Sequence, residues 1–255
     1  MNTKLLTLAA IVLTIAAGAF QAQAASDNFE SGLFPAGGSG WATNWTQNST
    51  FLGTNSQIDG TNTLGEFGSG ASSQRTFAPI TSGQVIATWS FKSLTALSNG
   101  GNEIGFSIMS GNTAVLSFKF VNGNSNLLIN DGGTDFNPTQ PSGGLSFVVG
   151  DIYDFTATLN VGSTLYSFTA TDRNTGAFVQ GVNYGLNAGN STSPSIDGVR
   201  FFASLPSGGG NDAHLDNVTV VPEPATYASA LLCGVTIVGA GIRRRFKKTG
   251  PNGKA

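Results

Sequence analysis

The sequence predicts an all-β body that folds as a jelly-roll β-sandwich. Apolar residues alternate with polar ones over segments of strand length, and β-branched and aromatic residues are frequent in those segments. Gly, Asn, Asp and Ser interrupt the chain about every 8–12 residues, as turns between short strands do. No stretch of residues 25–220 shows a convincing period of about 3.6 residues, so helices are not expected there. About ten to twelve short strands are typical of a jelly roll.

The same alternation places the individual strands. Trp89 lies inside an apolar segment, so it is expected in the core. The two segments on either side of Asn160-Val161-Gly162 are expected to pair as a hairpin. The predicted strands include Gln84–Lys92, Glu103–Met109, Asn112–Val121, Asp151–Leu159, Ser163–Thr171, Ile196–Ala203 and His214–Val220.

The composition of the body excludes several classes of function. Residues 25–220 have the length of one domain and hold five basic and thirteen acidic side chains, a net charge of −8, whereas the whole sequence has −2. Nucleic acids and anionic lipids need clustered Lys and Arg, so neither is an expected partner. The single cysteine, Cys233, lies outside this body, so no disulfide can stabilise it. An acidic body without disulfides suits a bound cation or a neutral sugar.

Three features follow one another after residue 221. Pro222-Glu223-Pro224 comes first, an uncharged segment runs from Ala225 to Ile242, and a basic cluster comes next. A segment of about 17–25 apolar residues can span a bilayer, and the basic residues after it stay on the cytoplasmic side. The residue before a proline avoids the helical region, so the junction is expected to be extended. The basic cluster consists of Arg243, Arg244, Arg245, Lys247 and Lys248.

This order of features resembles the PEP-CTERM sorting signal of Gram-negative bacteria, which exosortases recognise. The resemblance covers residues 221–248 and implies a precursor held in the inner membrane, with its body in the periplasm. It also implies that exosortase cuts near Pro-Glu-Pro and that the body moves to the cell surface or the extracellular matrix, among exopolysaccharide. Residues 249–255 are then expected to be a disordered cytoplasmic tail. The alternative is an ordinary C-terminal anchor that is not processed.

The first 24 residues read as a signal peptide. Lys4 supplies a positive charge, Leu5 to Phe20 is apolar, and Ala22-Gln23-Ala24 has the small residues of a cleavage site. We expect export by the Sec machinery and cleavage by signal peptidase after Ala24. The alternative is an uncleaved N-terminal anchor. The β-sandwich domain is therefore predicted to span residues 25–220.

Both ends of the body carry a second resemblance. Ser26-Asp27-Asn28-Phe29-Glu30 opens it, Gly40-Trp41 follows, and His214-Leu-Asp-Asn-Val-Thr-Val220 closes it. These segments are similar to the first and last strands of concanavalin-like, laminin-G-like and carbohydrate-binding-module β-sandwiches. In those folds the first and last strands are neighbours, so the resemblance implies the same pairing here.

The second resemblance also implies a structural calcium ion near these two strands. Its ligands would come from Glu30 and Asp216, with Asp27 next. Calcium prefers six to eight oxygen ligands from carboxylates and backbone carbonyls, which such residues can supply. The alternative is that these carboxylates lie at solvated strand ends and cap turns.

No catalytic constellation stands out in the sequence. His214 is the single histidine and lies on the same side of a strand as Asp216, but no Gly-x-Ser-x-Gly elbow accompanies it. The Glu-x-Asp-x-x-Glu pattern of laminarinase-like jelly rolls is absent. A hydrolase built from carboxylates distant in sequence stays open.

Two tryptophans are the candidates for sugar binding. Trp41 and Trp45 flank Asn44 in a polar segment, and sugar rings stack on such amphipathic side chains. The alternative is that both pack beneath a loop. The sequence therefore favours a non-catalytic surface or matrix protein that associates with exopolysaccharide. A structural adhesive with protein partners is the first alternative, and an exported glycan-active hydrolase is the second.

Overall fold

The computed structural model describes residues 24–46, 50–53, 58–67, 70–98, 101–122, 124–138, 144–187, 195–205 and 212–223. All of them belong to one compact unit, Ala22–Glu223. The predicted signal peptide before Ala24, and the predicted sorting segment and tail beyond Glu223, lie outside the described residues. Within the described ranges, no helix has the length and apolar character that crossing a membrane requires.

The described residues form fourteen strands. In chain order they are β1 (Ala25–Asp27), β2 (Thr50–Gly53), β3 (Thr63–Phe67), β4 (Ala71–Ile80), β5 (Gly83–Ser93), β6 (Glu103–Ser110), β7 (Thr113–Val121), β8 (Asn124–Asp131), β9 (Thr134–Phe136), β10 (Ile152–Val161), β11 (Leu165–Asp172), β12 (Phe178–Gly185), β13 (Ile196–Ser204) and β14 (Asp212–Pro222).

Two antiparallel sheets pack face to face. The eight-stranded sheet has the order β12-β11-β10-β5-β14-β3-β2, and β1 pairs with β14. The six-stranded sheet has the order β4-β13-β6-β7-β8-β9. This architecture confirms the predicted all-β sandwich. The chain crosses between the two sheets several times, and the local sequence pattern does not predict these crossings.

Period-two alternation decides which side chains enter the core. In β10, Tyr153, Phe155, Ala157 and Leu159 are buried, while the residues between them face outward. The predicted hairpin is confirmed, since β10 pairs with β11 in an antiparallel register. Each sheet therefore keeps one apolar face inside and leaves one polar face free.

Aromatic rings join the two sheets at the centre of the core. The Trp89 ring on β5 stacks on Phe155 of β10 at 5.1 Å between centroids and on Phe106 of β6 at 4.3 Å. Phe118 of β7 lies 5.2 Å from the same ring. Trp89 is 1% exposed, so its expected place in the core is confirmed.

The first and last strands are neighbours, as the second resemblance implied. Ala25 pairs with Val220, and Asp27 pairs with Val218. The last strand is longer than predicted, because β14 continues to Pro222, whose partner on β5 is Val85. The first proline of the predicted sorting motif therefore belongs to the sandwich.

Candidate functional site

A polar groove crosses the outer face of the six-stranded sheet. Its volume is about 520 Å³, and side chains from β4, β6, β7, β8, β9 and β13 line it. The strands β6 to β9 are consecutive hairpin neighbours, whereas β4 and β13 come from distant parts of the sequence and join them only through the sheet order. We define the polar groove by Ser72, Glu103, Ser117, Lys119, Asn130, Asp135, Asn187, Arg200 and Phe202.

The floor of the polar groove follows from the strand register. Phe202 on β13 is paired with Ser72 on β4 and with Gly105 on β6, and Gly105 is paired with Lys119 on β7. A Cβ atom at Gly105 would lie 2.5 Å from the tip of the Phe202 ring and 2.5 Å from the Phe118 carbonyl oxygen. Because Gly105 has no side chain, the Phe202 ring can lie against the sheet at this position, between the strands that carry Ser72 and Lys119.

One cation in the polar groove is shared by two carboxylates. Lys119 Nζ lies 2.8 Å from Asp135 Oδ2 and 3.8 Å from Glu103 Oε2. The Asp135 and Glu103 side chains are 48% and 37% exposed, so both remain accessible from the groove. The two carboxylates outnumber the one positive charge of Lys119, so this side of the groove is net negative.

The other cation in the polar groove has no such partner. Arg200 on β13 lies with its guanidinium carbon 5.5 Å from the centroid of the Phe202 ring. Its Nε atom is buried and has no hydrogen-bond acceptor. Arg200 as a residue is only partly buried and lines the groove, and no described group pairs with its guanidinium, so its other N–H groups are the donors that a ligand could use.

The opposite face of the sandwich carries a second, neutral trough. On the outer face of the eight-stranded sheet, Thr219 pairs with Thr88, Thr88 with Thr156, and Thr156 with Thr169. The ladder places hydroxyl groups on four adjacent strands, about 4.8 Å apart. A trough of about 340 Å³ lies beside it, lined in part by Thr156, Thr158 and Thr169. We call this surface the threonine face.

The tryptophan predicted as a sugar platform at position 45 lies in the core. Trp45 is 2% exposed, and its ring Nε1–H donates to Asp27 Oδ2 at 3.0 Å. Its ring also contacts Phe29 at 5.9 Å. A sugar cannot reach the face of this ring, so the alternative, packing beneath a loop, describes Trp45.

Trp41 is partly buried beside Trp45. Its Nε1–H donates to the Ser26 carbonyl oxygen at 2.9 Å, and the Arg75 guanidinium lies 4.8 Å from its ring centroid. Trp41 packs against the edge of the core and does not line the polar groove. Its role in sugar binding stays a prediction.

Asp27 belongs to a buried ion pair. Its Oδ2 accepts a hydrogen bond from Arg75 Nη1 at 2.5 Å, and its Oδ1 accepts one from the Phe29 N–H at 2.9 Å. The two paired side chains are 1% and 3% exposed. Burial lowers the pKa of Arg75, and the charge of Asp27 opposes that change. Both carboxylate oxygens of Asp27 are engaged by the protein itself.

Glu30 and Asp216 hold the segment of residues 58–62 from two sides. Glu30 Oε1 accepts hydrogen bonds from the backbone N–H groups of Thr61 and Asn62, each at 2.8 Å. These hydrogen bonds lower the pKa of Glu30, and the bond from Asn62 has the largest effect. The Asp59 N–H donates to Asp216 Oδ2 at 3.2 Å. The two predicted calcium ligands are therefore placed around one loop, together with Asp59.

Asp216 is an unusual carboxylate. It is 1% exposed, and burial raises its pKa to about 7, with a further contribution from the negative charges of Asp59 and Glu30. Arg173 neutralises part of the negative charge around Asp216, because its Nη1 lies 2.8 Å from Asp59 Oδ1. Among the described residues, no three His, Cys, Asp or Glu side chains form a group that could hold a metal ion. Structural calcium stays a prediction.

His214 lies next to this loop and is also buried. It is 2% exposed, and its Nδ1 lies 2.8 Å from the Thr63 hydroxyl oxygen. Alternation along β14 places it on the same side of the strand as Asp216, as predicted. A buried imidazole beneath a loop packs the sheet and is not presented to a substrate.

Comparisons with known proteins establish the fold class. No protein-family model matches the sequence, and no curated protein matches it. Peanut lectin, solved with a nine-residue peptide, matches with 14% identity and a TM-score of 0.51, over 78% of this chain and 97% of the lectin. The cellulose induced protein Cip1 matches with 18% identity and a TM-score of 0.50, over 77% of this chain and 96% of Cip1. The chain therefore has a lectin-like jelly-roll sandwich.

Sequence reasoning missed the residues of the polar groove. Alternation in β13 does predict that Arg200 and Phe202 face away from the core, and the same holds for Lys119 in β7. An arginine and an aromatic residue two positions apart on an outward strand face were a usable signal. The alternation pattern could not predict which strand lies beside β13, so it could not predict which other side chains line the groove with Arg200 and Phe202.

The buried ion pair gives the first prediction. Replacing Arg75 with Met leaves the Asp27 charge buried without a partner, so unfolding free energy should fall by about 3–5 kcal/mol. Arg173→Met is the matched control, because its ion pairs with Asp59 and Asp154 are half exposed, and it should cost about 1 kcal/mol or less. Urea unfolding followed by tryptophan fluorescence measures both. Equal losses in the two variants would contradict the assignment.

The raised pKa of Asp216 gives the second prediction. The folded chain takes up a proton at this carboxyl from about pH 7 downward, whereas the unfolded chain does so only near the ordinary value of 3.8. Its contribution to stability is therefore complete below about pH 4 and is lost as the pH rises through about 7. In EDTA, wild type should gain more melting temperature between pH 8 and pH 5 than Asp216→Asn does.

The same melting experiment tests calcium. At pH 8, calcium should raise the melting temperature of wild type and not that of Asp216→Asn if the ion binds beside this carboxylate. An identical pH dependence in the two proteins would show that Asp216 does not titrate as described. An unchanged melting temperature with calcium would remove the structural ion.

Proposed function

We propose that this chain is an exported, non-catalytic surface or matrix protein that binds glycan in the polar groove. The observation that carries the proposal is the unpartnered Arg200, held against Phe202 at the floor of the groove. The lectin-like sandwich is a suitable scaffold, but the fold alone does not specify a ligand. The chemistry of the groove must therefore identify the ligand.

The polar groove has the properties that a sugar needs. Binding sites for small molecules typically have volumes of about 300–1,000 Å³, and the groove falls in that range. Asn130, Asn187 and Ser117 supply amide and hydroxyl groups that can exchange hydrogen bonds with sugar hydroxyls. Phe202 supplies an apolar surface for the C–H groups of a pyranose ring.

A hydrolase is the second candidate function, because two carboxylates meet in the same groove. Glu103 and Asp135 both contact Lys119, so their oxygens lie within about 7 Å of each other, and glycosidases place their carboxylates about 5–9.5 Å apart. Both carboxylates are engaged by the same ammonium group of Lys119, so we favour binding over hydrolysis.

The cellular part of the proposal depends on the two terminal segments. The signal peptide directs export through the Sec machinery, and the Pro-Glu-Pro motif, the apolar segment and the basic cluster match the pattern that exosortase recognises. The precursor is then held in the inner membrane with its sandwich in the periplasm. After processing, the sandwich reaches the cell surface or the matrix, where exopolysaccharide is its ligand.

The third prediction tests glycan binding in the polar groove. The full-length chain in mild detergent is titrated by calorimetry with purified exopolysaccharide of the producing bacterium. Phe202→Ala removes the apolar floor, and Ser72→Trp fills the groove beside it, so each should weaken binding about tenfold or more. Thr169→Val, on the threonine face, is the control and should bind like wild type.

Two outcomes would change the conclusion. Unchanged binding in both groove variants, or an equal loss in Thr169→Val, would remove the polar groove as the binding site. Release of reducing sugar by wild type, lost in both Glu103→Gln and Asp135→Asn, would establish the hydrolase instead.

The fourth prediction tests sorting. Glu223 contacts the sandwich through its backbone N–H, which donates to the Gln84 carbonyl oxygen at 2.8 Å, so Glu223→Ala keeps this bond. In the producing bacterium, wild type should appear shortened in the surface or matrix fraction, whereas Glu223→Ala should accumulate at full length in the inner membrane. Asn252→Ala, beyond the basic cluster, is the control. Equal distribution of all three proteins would show that the motif is not read.

A further inference from the structure

We infer that the polar groove receives a glycan bearing an isolated uronic acid, whose carboxylate binds Arg200 and whose neighbouring sugars are neutral. This inference rests on the proposed function, because it names the class of glycan bound at the same groove. It follows from the distribution of charge within the groove.

No hydrogen bond to another described residue holds Arg200 in place. Its guanidinium lies over Phe202, and Phe202 in turn lies over Gly105, where no side chain interferes. The Nε atom is buried without an acceptor. The guanidinium plane is therefore oriented by packing before any ligand arrives, which reduces the ordering that binding requires.

The other arginines of the described chain are used differently. Arg75 pairs with Asp27, and Arg173 pairs with Asp59 and Asp154. No carboxylate among the described residues pairs with Arg200. An acidic body that satisfies its other described arginines internally thus leaves one cation open in the polar groove.

A carboxylate is the group that fits this cation. The guanidinium presents its donors in a planar fork, and a carboxylate accepts two of them at once. A sugar hydroxyl would satisfy one donor but leave the positive charge uncompensated. Sulfate esters and uronates share the anionic chemistry, and the experiment separates them.

The other end of the groove limits how many acids the glycan can carry. Glu103 and Asp135 surround Lys119 with two negative charges, and both side chains are more than one third exposed. A second carboxylate on an adjacent sugar would meet these like charges. A chain of consecutive uronates is therefore disfavoured, whereas a uronate flanked by neutral sugars fits.

The experiment compares four hexasaccharides on the full-length chain in detergent, at about 0.15 M salt, where long-range attraction is screened. The first alternates glucuronic acid with N-acetylglucosamine, and the second is its carboxyl-reduced form. The third is hexagalacturonate, a short polygalacturonate. The fourth is the carboxyl-reduced form of the first, carrying a sulfate ester. Wild type should bind the first at least tenfold more tightly than the other three.

Arg200→Gln should bind the first and second hexasaccharides equally, because it removes the charge and keeps a shorter, polar side chain. Arg200→Lys should recover part of the preference if the fold is intact, since it restores the charge without the planar fork. Arg173→Gln, on the opposite sheet, is the matched control and should keep the full preference.

The outcomes separate the inference from the proposed function. Equal binding of the first two hexasaccharides by wild type overturns the uronate while glycan binding stands. Tight binding of polygalacturonate overturns the isolated acid, and a preference for the sulfate ester overturns the carboxylate. If wild type binds none of the four and also ignores exopolysaccharide, the proposed function itself fails.

Discussion

The packing of the two sheets through Trp89 is the interaction on which the rest of the structure depends. No disulfide is possible in this body, so the sandwich must be stabilised by the area buried between its sheets. Trp89 and Phe155 from one sheet meet Phe106 and Phe118 from the other, with ring centroids about 4–6 Å apart. Because this core uses only the inner faces, both outer faces remain free for polar groups.

The two outer faces have been used in different ways. At one end of the eight-stranded sheet, Glu30, Asp216 and Arg173 fasten the segment of residues 58–62. Elsewhere the outer face of this sheet carries hydroxyl groups. The six-stranded sheet instead gathers charge into an open groove and leaves Arg200 unpaired. Charges paired within the protein are already compensated there, whereas an unpaired and preoriented charge is available to a ligand.

Particular residues show how far the sequence could predict the fold. The place of Trp89 in the core, the β10–β11 hairpin and the neighbouring first and last strands were all predicted and are confirmed. Each depends on local alternation or on a short end motif. The burial of Trp45 could not be predicted in this way, because its environment is set by Asp27, Phe29 and Arg75, which approach from other parts of the chain.

The sequence by itself determined the strand pattern, the side of each strand that faces the core and the acidic character of the body. These properties depend on side chains one or two positions apart, which a reader of the chain can see. Only the tertiary structure decided that Arg200, Phe202, Lys119, Glu103 and Asp135 share one groove. Glu103, Lys119 and Asp135 lie on the consecutive strands β6 to β9, but β13, which carries Arg200 and Phe202, joins them through a long-range pairing with β6. Pairing of this kind is selected by the packing of the whole core rather than by any local pattern.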